Sequence, residues 1–403
     1  MTENLLLTVV TLVSFIVSMV SYPVLLRFAK RHGIVDNPGS RKLHREPVPV
    51  MGGVAVYVGI MAALLVAIVL GHYDFPMTTI IGMTTMLAVG VWDDVRDIPA
   101  ILRFIVELVL VWGMMSWTNV YIDNFHGLWN ISDITMYVSL PLSLVASVGI
   151  INAVNLIDGV DGYCSGFGIM ASFLFAALFF HADVVPLGIM ALTCGAALIP
   201  FFLHNVFGRT SKMFIGDGGT LMLGVVMSVF VFASLSSTSR CSELESEGIG
   251  LVAFTMAVLS VPVFDTLRVM CTRIVRGVSP FHPDKTHLHH LFIIAGFSHV
   301  GTSFSCLLLD LLVVAAWYVS FVCGASVTLQ FYIVVSLGFI FTFGLYWFIS
   351  RQREGGTADA NGNREGTALY KSFIRLGRRT HLEGNGIWKV IRAAVDKASP
   401  VKN

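Results

Sequence analysis

Residues 135–162 read TMYVSLPLSLVASVGIINAVNLIDGVDG. Up to Ile151 the stretch is apolar and close to the length that a bilayer requires of a spanning helix. It then presents two amides and two carboxylates, Asn152, Asn155, Asp158 and Asp161. Ionisable groups at a membrane boundary are costly unless they bind something. Asn152 and Asn155 are three residues apart, as are Asp158 and Asp161, a spacing that lets one helical face present all four. Gly159 and Gly162 let the backbone break away or approach a ligand closely. An oxygen-lined site for a hard cation or a nucleotide is built this way. The stretch predicts both a membrane helix and a polar site at its end.

The rest of the chain agrees with the first half of that reading. Hydrophobic residues make up 55% and charged residues 13%, against about 25% charged in soluble domains, and the mean hydropathy is +0.78. The fold class expected is an all-α polytopic membrane protein. The net charge of +1 says little about partners. Six cysteines are scattered without CxxC spacing, which argues against a zinc or disulfide framework.

About eleven apolar spans are expected, near 5–26, 50–70, 77–92, 101–117, 135–151, 163–180, 186–203, 218–235, 249–267, 302–323 and 329–349. The first has no basic segment before it and is long enough to span, so it reads as a retained helix and not a cleaved signal. With the N-terminus outside and the C-terminus cytoplasmic, every one of the 26 Lys and Arg except Arg240 falls in an inner segment or at its flank, as the positive-inside rule requires. Residues 353–366 read as a flexible linker. Residues 368–395 mix apolar and basic side chains in the manner of an amphipathic helix lying on the inner leaflet.

The unusual polar clusters fall in those inner segments. They are Asp36 with Arg41, Lys42 and His44; Asp93 and Asp94, then Arg103; the Asn152–Gly162 motif; Lys212 with Gly216-Asp217-Gly218-Gly219; and Arg268, Arg273 and Arg276 followed by His287, His289 and His290. Asp36 and the neighbouring prolines read as loop architecture. Each cluster alone is weak; their convergence on one membrane face is the argument. Carboxylates with amide oxygens suit Mg2+ or Mn2+ completed by water and substrate phosphate. A glycine-rich turn at a helix start suits phosphate, and Arg and His clusters neutralise phosphoryl oxygens. Phosphoryl transfer needs a metal, cationic clamps and a positioned nucleophile.

In this combination of motifs the chain resembles the polyprenyl-phosphate N-acetylhexosamine-1-phosphate transferases. Its pattern is most similar to the bacterial undecaprenyl-phosphate GlcNAc-1-phosphate branch that starts O-antigen, common-antigen and teichoic-acid synthesis. The motifs that carry the resemblance are Asp36…Arg41-Lys42-x-His44, Asp93-Asp94, Asn152-x-x-Asn155-x-x-Asp158-Gly-x-Asp161-Gly, Gly216-Asp217-x-Gly219 and His287-x-His289-His290. The resemblance covers about residues 5–350 and implies a reaction in which a polyprenyl phosphate attacks the β-phosphorus of a UDP-N-acetylhexosamine and UMP leaves. It also implies roles: Asp217 and Asn155 for the metal, Asp161 for the nucleoside, Asp93 and Asp94 near the lipid phosphate, and His287, His289 and His290 with a neighbouring Arg, here Arg276, for diphosphate and sugar. Asp158 joins the catalytic set, and Arg41, Lys42, His44, Arg103 and Asn152 the substrate-binding set. Where the family usually has Lys, nine residues after the paired aspartates, this chain has Arg103.

Residues 1–350 are then a membrane-embedded transferase domain of the bacterial inner membrane, with its site on the cytoplasmic face, and 351–403 a basic tail. The partners expected are UDP-N-acetylhexosamine, undecaprenyl phosphate, the lipid bilayer and, as an option, a second copy of the chain; no nucleic acid is expected. Direct in-line attack by the acceptor phosphate is preferred, since its second pKa lies near 6; a covalent intermediate on Asp93 or Asp94 is the alternative. Two other functions compete. The phospho-MurNAc-pentapeptide transferase of peptidoglycan synthesis typically has three contiguous His, unlike the His-Leu-His-His run here. A transporter of an anionic solute should carry polar groups near the bilayer midplane, where this chain has almost none.

Overall fold

The computed structural model describes residues 2–38, 46–280, 286–355, 357–358, 364–365, 367–381 and 386–398. Arg41, Lys42 and His44 lie outside the described residues. The elements run α1 (Glu3–His32), β1 (Val35–Asp36), β2 (Val48–Pro49), α2 (Gly52–Gly71), α3 (Met77–Arg96), α4 (Ala100–Thr118), α5 (Met136–Leu156), α6 (Tyr163–His181), α7 (Val185–Phe207) and α8 (Gly216–Leu235). There follow α9 (Leu251–Val258), α10 (Ser260–Val275), α11 (Leu288–Ile294), α12 (His299–Val322), α13 (Val327–Phe339), α14 (Leu345–Gly355), α15 (Ala368–Arg379) and α16 (Gly386–Ala398). The all-α expectation is met; among the described residues the strands are two-residue pieces beside the helices.

Among the described residues nine stretches are long and apolar enough to cross a membrane, and α9 with α10 makes a tenth if that bent pair is one span. The expected third span forms a helix, α3, but its apolar part stops at Trp92. Asp93 and Asp94 continue the same helix and dilute its hydropathy, so the count of eleven is not reproduced. The expected ninth span is broken at Leu259, with a 75° bend. Asp310 of α12 explains how the break is tolerated: it accepts hydrogen bonds from Ser260 Oγ (3.0 Å) and Val261 N (2.9 Å), capping the freed end of α10.

The core is organised around α8, whose span is wholly buried, as expected of a helix apolar on every side. It packs against α2, α3 and α5. Two close approaches fix its lower end. A Cβ on Gly53 would overlap the Gly219 backbone, and one on Gly90 would overlap the Asp217–Gly218 backbone. On α1 the buried residues recur mostly every fourth position: Leu6, Val10, Ser14, Ser18, Tyr22, Leu26 and Ala29. This seam meets α2 and α7, and Ser14 and Ser18 donate to the carbonyls of Thr193 and Ala197, both at 2.7 Å. Small side chains and interhelical hydrogen bonds are how helices associate in lipid. Beyond α1, Val35 pairs with Pro49 and Asp36 with Val48, and Val50 bridges to Phe214. That ties the first loop to the turn that starts α8.

Candidate active site

A cavity of about 680 Å³ opens where the ends of α3, α5 and α7 meet the start of α8. Its acidic side is lined by Asp93, Asp94, Asp97, Asn155, Asp158 and Asp217, with Asp36 from the first loop. Asp36 is therefore more than loop architecture: it faces the cavity.

The local sequence explains the placement. Gly216 takes the left-handed conformation (φ 76°) that turns the chain into α8. Asp94 accepts from the backbone N–H of Asp217 (3.1 Å) and of Gly218 (3.5 Å), so a carboxylate from α3 caps α8 and fixes the turn that carries Asp217. Asn155 donates to Asp217 Oδ1 (2.8 Å) and Thr220 Oγ1 (2.8 Å). With that amide NH2 committed, the Asn155 oxygen is the atom it has left for a ligand. Asp93 accepts from Ile98 N (2.7 Å) and from Arg103 Nη1 (3.2 Å). Arg103 also lies 3.8 Å from Asp217 Oδ2 and 3.6 Å from Glu107 Oε1.

Asn152 turns away from the cavity lining. It donates to Glu107 Oε2 (2.6 Å) and to the Val148 carbonyl (2.9 Å). The result is a relay, Asn152–Glu107–Arg103, behind Asp93 and Asp217. Sequence reasoning missed Glu107; its i, i+4 spacing from Arg103 inside an apolar span was the signal available.

Asp158 faces the open cavity and is surrounded by other carboxylates. Loss of solvent, and then the neighbouring Asp217, Asp161, Asp94 and Asp36, hold its carboxyl well above the usual range. Asp161 sits in the opposite environment. It pairs with Lys212 Nζ (2.6 Å) and His299 Nδ1 (3.3 Å), and its own carbonyl accepts from Ser303 Oγ (2.6 Å). Burial works against ionisation there, but the adjacent His299 imidazole and the Lys212 charge outweigh it and keep the carboxyl below the usual range. His299 and the pairing of Lys212 were not anticipated from sequence.

The histidine segment divides. His290 lines the cavity. His289 is buried against Gly159, where a Cβ would strike its imidazole, and burial, then His290 and His287, hold it neutral. His287 is buried behind it, with Nδ1 2.9 Å from Asp265, which also accepts from Arg268 (2.7 Å) and Leu288 N (3.1 Å). Arg276 is exposed and donates to Tyr346 Oη (2.7 Å), away from the cavity lining.

Among the described residues no three His, Cys, Asp or Glu side chains converge tightly enough to hold a metal unaided. Yet Asp93, Asp94, Asp158 and Asp217 crowd one wall with Arg103 as the nearby cation. That donor set fits a hard cation held by the Asp217 carboxylate and the Asn155 oxygen, with substrate phosphate and water completing its shell.

The profile described as glycosyl transferase family 4 matches residues 76–235, the region from α3 through α8 that carries Asp93, Asp94, Arg103, the Asn152–Gly162 motif and Asp217. The probable undecaprenyl-phosphate N-acetylglucosaminyl 1-phosphate transferase of Bacillus subtilis (strain 168) is 30% identical over 294 residues, covering 71% of this chain and 78% of that protein. This chain belongs to the polyprenyl-phosphate N-acetylhexosamine-1-phosphate transferases. Two other members of the family are similar. The decaprenyl-phosphate N-acetylglucosaminephosphotransferase of Mycolicibacterium smegmatis is 31% identical over 293 residues, 67% of this chain and 71% of that protein. The undecaprenyl-phosphate alpha-N-acetylglucosaminyl 1-phosphate transferase of Yersinia pestis is 28% identical over 290 residues, 70% of this chain and 76% of that protein. As a multi-pass membrane transferase of this family, the chain has the expected setting for its cavity: helix ends carrying polar groups at the edge of an apolar bundle.

Proposed function

We propose that this transferase moves N-acetylhexosamine-1-phosphate, in the first instance GlcNAc-1-phosphate, from a UDP-sugar to undecaprenyl phosphate. The products are a lipid diphosphate-linked sugar and UMP. The observation that carries the reading is the contact set drawn from three helices in which Asn155 and Asp217 of the cavity wall meet Arg103 behind it, with the Asp161–Lys212–His299 cluster on the same cavity. The names of the relatives supply the donor and acceptor classes. The distribution of Lys and Arg supports a cytoplasmic site in the inner membrane: Lys212 lines the cavity and Arg103 pairs with its carboxylates Asp93 and Asp217, while Arg240 pairs with Asp183 on another loop.

The acceptor phosphate is largely dianionic at neutral pH and needs little help from a base. Direct in-line attack follows, and four hydrogen bonds support it over a covalent aspartate. Both oxygens of Asp94 accept amides of α8, and both of Asp93 accept donors of their own. These carboxylates are held as structural acceptors and phosphate-repelling walls rather than as free nucleophiles. Arg103 steadies Asp93 and Asp217 and offers charge to the transferring phosphoryl group. Asp161, Lys212 and His299 orient the nucleotide end, and His290 borders the region between. A bound Mg2+ (or Mn2+) at Asp217 and Asn155 would act as a Lewis acid toward phosphoryl oxygen.

The test is transfer itself. Membranes containing the protein receive radiolabelled UDP-GlcNAc, Mg2+ and undecaprenyl phosphate. Label should enter the lipid extract with release of UMP, and Asp217→Asn should remove it. A panel of UDP-sugars that all leave the lipid fraction unlabelled would overturn the proposal.

A further inference from the structure

The amphipathic pattern of residues 368–395 places them on the membrane surface and leaves their role open. The contacts of α16 point elsewhere. Trp388, Arg392 and Asp396 are spaced i, i+4, i+8 and so share one face of the helix. All three meet the end of α7 and the loop behind it. The Trp388 ring lies 4.7 Å from that of Phe207, Arg392 Nε donates to the Phe207 carbonyl (3.3 Å), and Asp396 Oδ1 accepts from the backbone N–H of Arg209 (3.1 Å), Thr210 and Ser211 (both 3.2 Å). The loop so clamped leads directly to Lys212, the partner of Asp161. Trp388 and Arg392 also line the cavity. Trp388 is only 8% exposed, and its indole N–H is buried without a hydrogen-bond partner.

We propose that α16 is one wall of the donor site: Trp388 and Arg392 bind the nucleoside diphosphate portion of the UDP-sugar, and Asp396 clamps the loop that presents Lys212. This rests on the proposed function. The chemistry is the match of a planar, anionic ligand to an aromatic wall and a guanidinium, which binds phosphate through a rigid fork of donors. The acidic wall at Asp93, Asp94, Asp158 and Asp217 stands in contrast; the cations Lys212 and Arg392 give the cavity a separate basic part.

The test uses the full-length protein in detergent, with donor and acceptor varied separately. Arg392→Gln should raise the KM for UDP-GlcNAc about tenfold, the effect of losing one charge-assisted hydrogen bond, while kcat and the KM for undecaprenyl phosphate hold. Arg392→Lys should recover part of the loss, and Asp396→Ala should shift the donor KM in the same direction. Equilibrium dialysis of labelled UDP reads the same site without turnover and should weaken in parallel, also in Trp388→Ala. Donor KM and UDP binding unchanged in both Arg392→Gln and Trp388→Ala would overturn the role of α16 in an active protein. An intact chain that neither transfers label nor binds UDP would instead sink the proposed function, and this inference with it.

Discussion

Replacing Arg103 by Met separates a structural from a catalytic role for the base behind the acidic wall. The guanidinium reaches three carboxylates: Asp93 at 3.2 Å, Glu107 at 3.6 Å and Asp217 at 3.8 Å. The Glu107 side chain is 1% exposed, so losing Arg103 leaves its charge buried with only the Asn152 amide against it. Removing one partner of a buried pair costs about 3–5 kcal/mol, and the retained amide argues for the low end. Arg103→Met should therefore lower the melting temperature in detergent. Activity should fall further than stability explains, by about 100-fold, the scale of losing one electrostatic contact to the transition state. Adding Glu107→Gln removes the orphaned charge and keeps an acceptor for Asn152. The double variant should regain most of the thermal stability and none of the transfer rate. If it regains the rate as well, Arg103 serves only to neutralise Glu107, and the role given to it at the phosphoryl group is refuted.

Other outcomes follow from the same geometry. Asp161, held below the usual carboxylate range by His299 and Lys212, contributes stability that is present above that range and lost as pH falls through its depressed pKa. Melting temperatures between pH 6 and pH 3 should thus drop more steeply in the parent than in Asp161→Asn, and parallel curves would contradict the pairing. Asp158, pushed upward by burial and its carboxylate neighbours, keeps its proton above the usual range, and its contribution to stability falls as pH rises through the raised value. Adding Mg2+ to the metal-free protein in weak buffer should release protons, less in Asp158→Asn; equal release would exclude Asp158 as their source. Gly53→Ala forces a Cβ into the Gly219 backbone and should cost about 1–3 kcal/mol, whereas Gly149→Ala, which meets open space, should melt like the parent.

The spans were legible because a bilayer demands one property, apolarity, over a fixed length. The 135–162 stretch ends in a polar site as its composition suggests, but not on one helical face: α5 stops at Leu156, so Asn155 reaches the cavity from the helix and Asp158 and Asp161 from the turn beyond it. The convergence of Asp93, Asp94 and Asp217 was legible from topology, since alternate loops share a side. What sequence could not carry is pairing across elements. Asn152 has the same spacing to its motif as Asn155, yet the position of α4 turns it toward Glu107. His287 looks like His290, yet Asp265, three residues before Arg268, holds it behind the cavity. The break at Leu259 depends on Asp310, fifty residues away in the chain. The amphipathic pattern of 368–395 was visible, but amphipathicity names no partner; only the docking of α16 on Phe207 and 209–211 does so.

The most direct measurement follows phosphorus. With UDP-GlcNAc labelled with 32P at the β-phosphate, the enzyme working through the Asp217 and Asn155 wall should send all transferred label into the lipid diphosphate and release unlabelled UMP. Label recovered in UDP while the sugar enters the lipid would mean that the bond broken lies between sugar and phosphate, and sugar-1-phosphate transfer would be contradicted.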